Sequence, residues 1–271
     1  MTGPVVLGAH VDQADVVAEA QARSMPVAQI FLGSPQSYRG PALTYPGGIP
    51  QLKADAAAAG VGLYVHAPYI VNVATANNRV RIPSRKLLQQ HVAAAAELGA
   101  LGVIVHGGQM GKGGDLEAGF DNWRKAVDGL EAGVPVLIEN TAGGDGAPAR
   151  SLENLARLWD AVQSASGADS IGFCLDTCHA HAAGIPLPGL ADAVRAITGR
   201  IDLVHLNDSR DAAGSGADRH ESLGRGQCDP DALAAVVRDA GAPVVLETPG
   251  DAVAHLRDRQ WLLERLDSPV A

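Results

Sequence analysis

A chain of 271 residues that is 46% hydrophobic can bury one large core, and a single α/β barrel commonly takes about 250 residues. Thirty acidic residues against 21 basic ones give a formal charge of −9, which argues against attachment to nucleic acid through net charge. An aromatic content of 4% argues against a stacking platform for single strands.

Eight short runs rich in Val, Ile and Leu recur along the chain: "VVLGAHV", "VAQIFLG", "VGLYVHAP", "LGVIVHGG", "PVLIENT", "IGFCLDT", "IDLVHLND" and "PVVLETP". Each is apolar throughout rather than alternating, as parallel strands buried on both faces should be. Ala- and Leu-rich helical segments lie between them, among them "SRKLLQQHVAAAAELGA" and "DPDALAAVVRDAGA", and several stop at Gly before the next strand. "DAAGSGADRH" reads as a long loop, and no linker divides the chain. Eight β-α units predict an α/β fold, a single (β/α)₈ TIM-barrel domain spanning residues 1–271. An open doubly wound sheet is the alternative, but no G-x-G-x-x-G follows the first strand.

Cys174, Cys178 and Cys228 are odd in number and lack C-x-x-C spacing, so no disulfide framework is expected. The opening "MTGPVVLGAH" has no basic segment before its apolar residues. No apolar run approaches the roughly 20 residues of a membrane helix. A cytoplasmic protein with no membrane partner is the expectation.

The strand ends carry the functional signal. Strands three to eight end in turn at His66, His106, Glu139, Asp176, His205 and Glu247. A barrel's active site lies at the carboxyl ends of its strands, so six ligand-type residues would share one mouth. A single histidine there is ordinarily a hydrogen-bonded structural residue; six His, Asp or Glu in succession are not explained that way. Crowded carboxylates in a dry mouth call for positive charge among them. Histidine with carboxylate suits zinc, manganese or iron better than calcium or magnesium.

His179 stands three residues after Asp176, and Asp218 and His220, two apart, face the same side of an extended segment. Five histidines and four carboxylates exceed the needs of one tetrahedral zinc. A cluster of two or three ions fits, with Glu139 the candidate bridge. Cys174, inside an apolar strand, and Cys178, between better-placed ligands, read as small packing residues. His181 reads as a surface histidine at a helix start, and His10, His91 and His255 as structural or exposed.

Taken in order, "GAHV", "HAPYIVN", "IENTAG", "DTCHAHAAG", "HLNDS", "DRHESLGRG" and "LETP" resemble the endonuclease IV type of apurinic/apyrimidinic endonuclease over nearly the whole chain. The resemblance implies a trinuclear-zinc (β/α)₈ barrel, with manganese or iron acceptable at some positions. His66, His106 and Glu139 would hold one ion. Glu139 would bridge to a second, held also by Asp176, His205 and Glu247, and the third would be held by His179, Asp218 and His220. These are the nine residues that the strand ends select. Three dications would outweigh the four ligand carboxylates, leaving the mouth positive in an acidic protein.

The implied substrate is duplex DNA with abasic sites or blocked 3′ ends, and no protein partner is expected. Incision would fall on the 5′ side of the lesion, leaving a 3′-hydroxyl, with Glu139 bridging ions and orienting the nucleophile. Tyr69 matches the family tyrosine that reaches toward the damaged site. The family's Lys-Asn-x-Arg-Gln-Trp loop is replaced by "GSPQSY", so Gln36 stands at the arginine position and Tyr38 at the tryptophan. Arg79 and Arg81, in a stretch from Ala56 to Ala96 without acids that also carries Arg85 and Lys86, would line the DNA rim. Arg210, Arg219 and Arg225, after strand seven, would join them. Two readings compete: a metal-dependent sugar isomerase or epimerase on a related barrel, and a weakly active DNA-binding relative with an altered loop.

Overall fold

The apolar runs form parallel strands, and the segments between them form helices that cover the outside. The computed structural model describes residues 5–267. The first four residues, part of the reading against a leader, and the last four of the predicted 1–271 domain lie outside the described residues.

The elements in chain order begin with β1 (Leu7–His10), α1 (Val16–Ala22), β2 (Val27–Phe31), α2 (Gly48–Ala59), β3 (Gly62–His66) and α3 (Asn78–Leu98). There follow β4 (Gly102–His106), α4 (Leu116–Asp128), β5 (Val136–Glu139), α5 (Leu152–Gln163), β6 (Ile171–Asp176), α6 (Thr177–Ala183) and α7 (Leu190–Thr198). The last are β7 (Leu203–His205), β8 (Asp208–Ser209), β9 (His220–Glu221), α8 (Pro230–Ala240), β10 (Val244–Leu246) and α9 (Ala252–Asp267). Among the described residues, β1 to β7 and β10 close into one parallel barrel in sequence order, with β10 pairing back onto β1. This is the TIM barrel expected from the eight apolar runs.

Two apolar layers hold it together. Outside the barrel, Leu87, Leu88 and Val92 of α3, Trp123 and Val127 of α4, and Leu158 of α5 pack against the outward faces of the strands. Burying each such side chain stabilises the fold by about 1.5–3 kcal/mol. Inside, Val27, Tyr64, Ile104, Leu137, Cys174, Leu203 and Val245 form one separate cluster, a residue from each of seven strands. That plug makes the barrel interior a packed core and gives the mouth its floor.

Two elements differ from the expectation. Helix α3 begins at Asn78, six residues before the predicted segment, because the Asn77 side chain accepts from Arg79 N and caps it. Arg79 and Arg81 therefore lie on the same helix as Arg85 and Lys86 rather than in the loop after β3. Pro83 sits inside that helix and forfeits one backbone bond. The predicted loop "DAAGSGADRH" is closed at its base by an antiparallel ribbon, in which Asp208 pairs with Glu221 and Ser209 with His220. No helix among the described residues is long and apolar enough to cross a membrane.

Candidate metal centre

Side chains on a strand return to the same face every second residue. Two residues beyond the plug positions Tyr64, Ile104, Leu137, Cys174, Leu203 and Val245 stand His66, His106, Glu139, Asp176, His205 and Glu247. The apolar floor and the polar layer above it therefore follow from one alternation. Parallel register aligns the layer: His106 pairs with Glu139 across β4 and β5, and Asp176 with His205 across β6 and β7. Five of the six end their strands, and Glu247 directly follows β10.

Glu139 is the hub. It is fully buried, and its two oxygens face different histidines. Oε2 lies 3.3 Å from His66 Nε2 and 3.2 Å from His106 Nε2, while Oε1 lies 2.9 Å from His205 Nδ1 and 3.3 Å from His179 Nδ1. Glu247 Oε2 is 3.3 Å from the same His205 Nδ1. On the outer side, His179 Nε2 lies 3.2 Å from Asp218 Oδ2, and His220 Nε2 lies 3.1 Å from Asp218 Oδ1. Asp176 stands between the two groups, register partner of His205 and within 3.8 Å of His179 Nδ1 and 3.9 Å of His220 Nε2. The nine predicted residues thus converge on one site.

Short-range structure places the outer histidines. Asp176 caps the short helix α6, its Oδ1 accepting from His179 N at 2.6 Å. The loop carrying Asp218 is tied down by Gly214 N and Gly216 N donating to the carbonyls of His181 and Ala182. Gly143 allows this loop to close over the mouth, since a Cβ there would meet Gly216 O at 2.3 Å. Two asparagines hold the carboxylates from behind. Asn207 Nδ2 donates to Asp176 Oδ2 at 2.7 Å, and its Oδ1 accepts from Glu247 N at 2.9 Å. Asn140 brackets the Asp176 backbone, accepting from its N–H and donating to its carbonyl.

The electrostatics describe a site short of positive charge. Burial opposes ionisation of Glu139, yet His205 and His106 prevail and hold its carboxyl well below the ordinary range. Burial dominates at Asp176 and pushes its carboxyl up. Burial would depress His179 and His205, but neighbouring acidic groups hold both well above their ordinary value. His220, likewise buried but beside Asp218 and Asp176, is raised to about 9. His179, His205 and His220 gather protons where cations would serve.

The donor set fits such cations. Ligand-type atoms of His66, His106 and Glu139 lie within 4.8 Å of one another, as do those of His66, His205 and Glu247, and those of Asp176, His179 and His220. His220 Nε2 is buried and makes no well-aligned hydrogen bond although Asp218 Oδ1 lies 3.1 Å away, as suits a nitrogen that shares an ion with that carboxylate. Nitrogen and carboxylate donors without a thiolate suit zinc, manganese or iron. Cys174 and Cys178 lie near Glu139–His205 and Asp218–His220 respectively, but burial pushes both thiols up to about 12. They pack as neutral groups.

The predicted rim residues divide. Tyr69 is 52% exposed and stacks on His106 with ring centroids 5.7 Å apart. Tyr38 bridges to the next loop, donating to Ile70 O at 3.2 Å. Gln36, Arg79 and Arg225 are exposed. Arg81 is held at the start of α3 through Thr75 O and Asn78 Oδ1. Arg219 pairs with both oxygens of Asp211, and Arg210 Nε lies 3.4 Å from Glu221. A cavity of about 290 Å³ beside the centre is lined by Tyr69, His106, Gln109, His179 and Asp218 among others, and by none of the predicted arginines.

One histidine reading is corrected. His181, expected on the surface, is buried on α6 with Nε2 donating to Asp211 O at 3.0 Å, because the long loop folds over that helix. Two residues of the polar layer were not singled out as parts of the site. Gln29 of β2 is fully buried and touches both His205 and Glu247. His10 of β1 lies 3.7 Å from Glu247 Oε1. The available signal was the alternation itself, since Gln29 stands two residues past the plug residue Val27.

Known proteins share this fold and much of this sequence. A family described as Xylose isomerase-like TIM barrel matches residues 17–266. A Mycobacterium bovis protein named "Probable endonuclease 4" is 54% identical over 262 residues, covering 94% of this chain and 99% of the relative. The solved structure of endonuclease IV from Thermus thermophilus aligns with a TM-score of 0.81 at 32% identity, over 96% of this chain and 100% of that one. A D-tagatose 3-epimerase-like protein aligns with a TM-score of 0.75 over 96% of this chain and 97% of its own, but at 20% identity that likeness is one of fold alone.

Proposed function

The chain belongs to the endonuclease IV family, and from that premise we propose that it repairs abasic sites in duplex DNA. It acts as one barrel domain, cutting the phosphodiester 5′ to the lesion to leave a 3′-hydroxyl, and it also trims blocked 3′ ends. The observation that carries this reading is the sharing of one buried carboxylate, Glu139, among four histidines at the floor of an open mouth.

Three zinc ions, or manganese or iron at some positions, would be held by His66, His106 and Glu139; by Glu139, Asp176, His205 and Glu247; and by His179, Asp218 and His220. Bound there, they would supply positive charge to the phosphodiester and acidify water at neutral pH. The protein's own groups do the rest. Glu139, held ionised by His205 and His106 despite its burial, orients the nucleophile. Tyr69 walls the cavity beside His106. A volume of about 290 Å³, at the small end of ligand pockets, favours a flipped-out sugar that carries no base. Selectivity then comes from the ease with which a baseless duplex deforms.

The test is a labelled duplex with one abasic analogue, beside an intact duplex. The metal-loaded protein is expected to nick only the first, 5′ to the lesion, and Glu139→Gln to slow this by about 10²–10⁴-fold. Failure of the fully metal-loaded protein to nick would overturn the proposal.

A further inference from the structure

Strand β2 supplies none of the nine proposed ligands, yet its Gln29 occupies the same polar layer. The side chain is fully buried and all its polar atoms are engaged. Oε1 lies 2.8 Å from His205 Nε2, and Nε2 lies 2.6 Å from Glu247 Oε1 and 3.0 Å from His10 Nδ1. These contacts fix which end of the amide is which. Turned over, the amide oxygen would press against the Glu247 carboxylate and the amide nitrogen would meet His205.

His205 differs from its neighbours in how its ring is set. The Nδ1–H groups of His66, His179 and His220 face backbone carbonyls, those of Ala67, Asn140 and Glu247, at 2.7, 2.9 and 3.2 Å. This leaves Nε2 as the coordinating nitrogen in each. In His205 the order is reversed: Nε2–H is given to Gln29, and Nδ1 points to Glu139 Oε1 at 2.9 Å and Glu247 Oε2 at 3.3 Å. A backbone carbonyl is fixed by the fold, whereas this acceptor belongs to one side chain.

We infer that Gln29 is a positioning residue of the centre: it holds His205 as the Nε2–H tautomer, so that Nδ1 is offered to an ion, and turns Glu247 so that Oε2 faces the same ion. One amide thereby orients two ligands of a single ion, and His10 keeps its second N–H engaged. The inference rests on the proposed metal centre.

The zinc-loaded full chain is equilibrated against chelator buffers of graded free zinc, and zinc per chain is measured by mass spectrometry. Three proteins are compared: wild type, Gln29→Met, which keeps the volume without the hydrogen bonds, and Ile30→Val, which alters only packing on the same strand. Gln29→Met is expected to release one ion at about 10–100-fold higher free zinc than wild type while keeping the others, and Ile30→Val is expected to follow wild type. In ¹⁵N-histidine-labelled wild type, the His205 ring should carry its proton on Nε2, opposite to His66, His179 and His220. A Gln29→Met profile equal to wild type, or loss of all ions together with a lowered melting temperature, would overturn the role. So would a His205 proton on Nδ1. If wild type itself retains no zinc, the metal centre fails and takes this inference with it. Wild-type retention without a Gln29 effect sinks the inference alone.

Discussion

His255 shows how a buried imidazole outside the centre shapes stability. Its Nδ1 accepts from Arg23 Nε at 2.8 Å and its Nε2 donates to Thr248 O at 2.8 Å, so a second proton would face a guanidinium. Burial first, with Arg23 adding to it, lowers its pKa below the ordinary value. The folded state therefore binds fewer protons than the unfolded chain below about pH 6.5. The stabilisation is complete above that pH and is lost as pH falls toward the lowered folded value, at up to about 1.4 kcal/mol per pH unit for one proton. Melting curves between about pH 7.5 and pH 5.5 should show His255→Gln losing less stability on acidification than wild type. Equal losses would assign the acid sensitivity elsewhere. At this scale the sequence was legible where a polar residue ends an apolar run, as at His66 or Asp176. At Gln29 the alternation within "VAQIFLG" marks the position but not the role, which is set by His205 and Glu247, more than 170 residues away in the chain.

Loops gain order from particular side chains, and Asp208 is the strongest case among the described residues after β7. Fully buried, it accepts from Ser209 N and Cys228 N on Oδ1 and from Gly224 N and Gly226 N on Oδ2, at 2.8–3.0 Å. A Cβ at Gly226 would meet Ser209 O at 2.3 Å and Asp208 Oδ1 at 2.4 Å, so glycine is what lets the chain wrap so closely. One carboxylate thus gathers the turn that carries Arg225 and anchors the base of the β8–β9 ribbon. Asp208→Ala would leave buried amides without acceptors and is expected to cost about 2–4 kcal/mol. Hydrogen exchange should be faster at Gly224, Gly226 and Cys228 first; unchanged exchange there would remove Asp208 as the organiser. The barrel strands were readable because burial on both faces demands unbroken apolar runs. The ribbon was not, because two-residue strands carry no periodicity and this one is held by contacts 16–20 residues distant. The early start of α3 was hidden by Pro83, which reads as a helix start rather than a helix interior.

For the whole molecule, a formal charge of −9 opposes the approach of a polyanion. The rim does less to reverse this than a count of arginines suggests, since Arg219 is engaged by Asp211 and Arg210 lies against Glu221. On the proposed metal centre, the positive field at the mouth would come mainly from its ions. Without them the same residues present four carboxylates, two of them fully buried. Stripping the metal is therefore expected to weaken binding of an abasic duplex, and not only its cleavage, by at least about tenfold at low salt. The gap should narrow as added salt shortens the screening length to about 10 Å at 0.1 M. Fluorescence anisotropy with the chelated and the metal-loaded protein reads this directly. The metal-loaded form should also show the steeper salt dependence, by about 0.9 in logarithmic slope for each additional phosphate engaged. Equal affinity and equal slope in the two forms would mean that Arg79, Arg225 and the aromatic wall hold the DNA unaided, and that the ions serve bond cleavage alone.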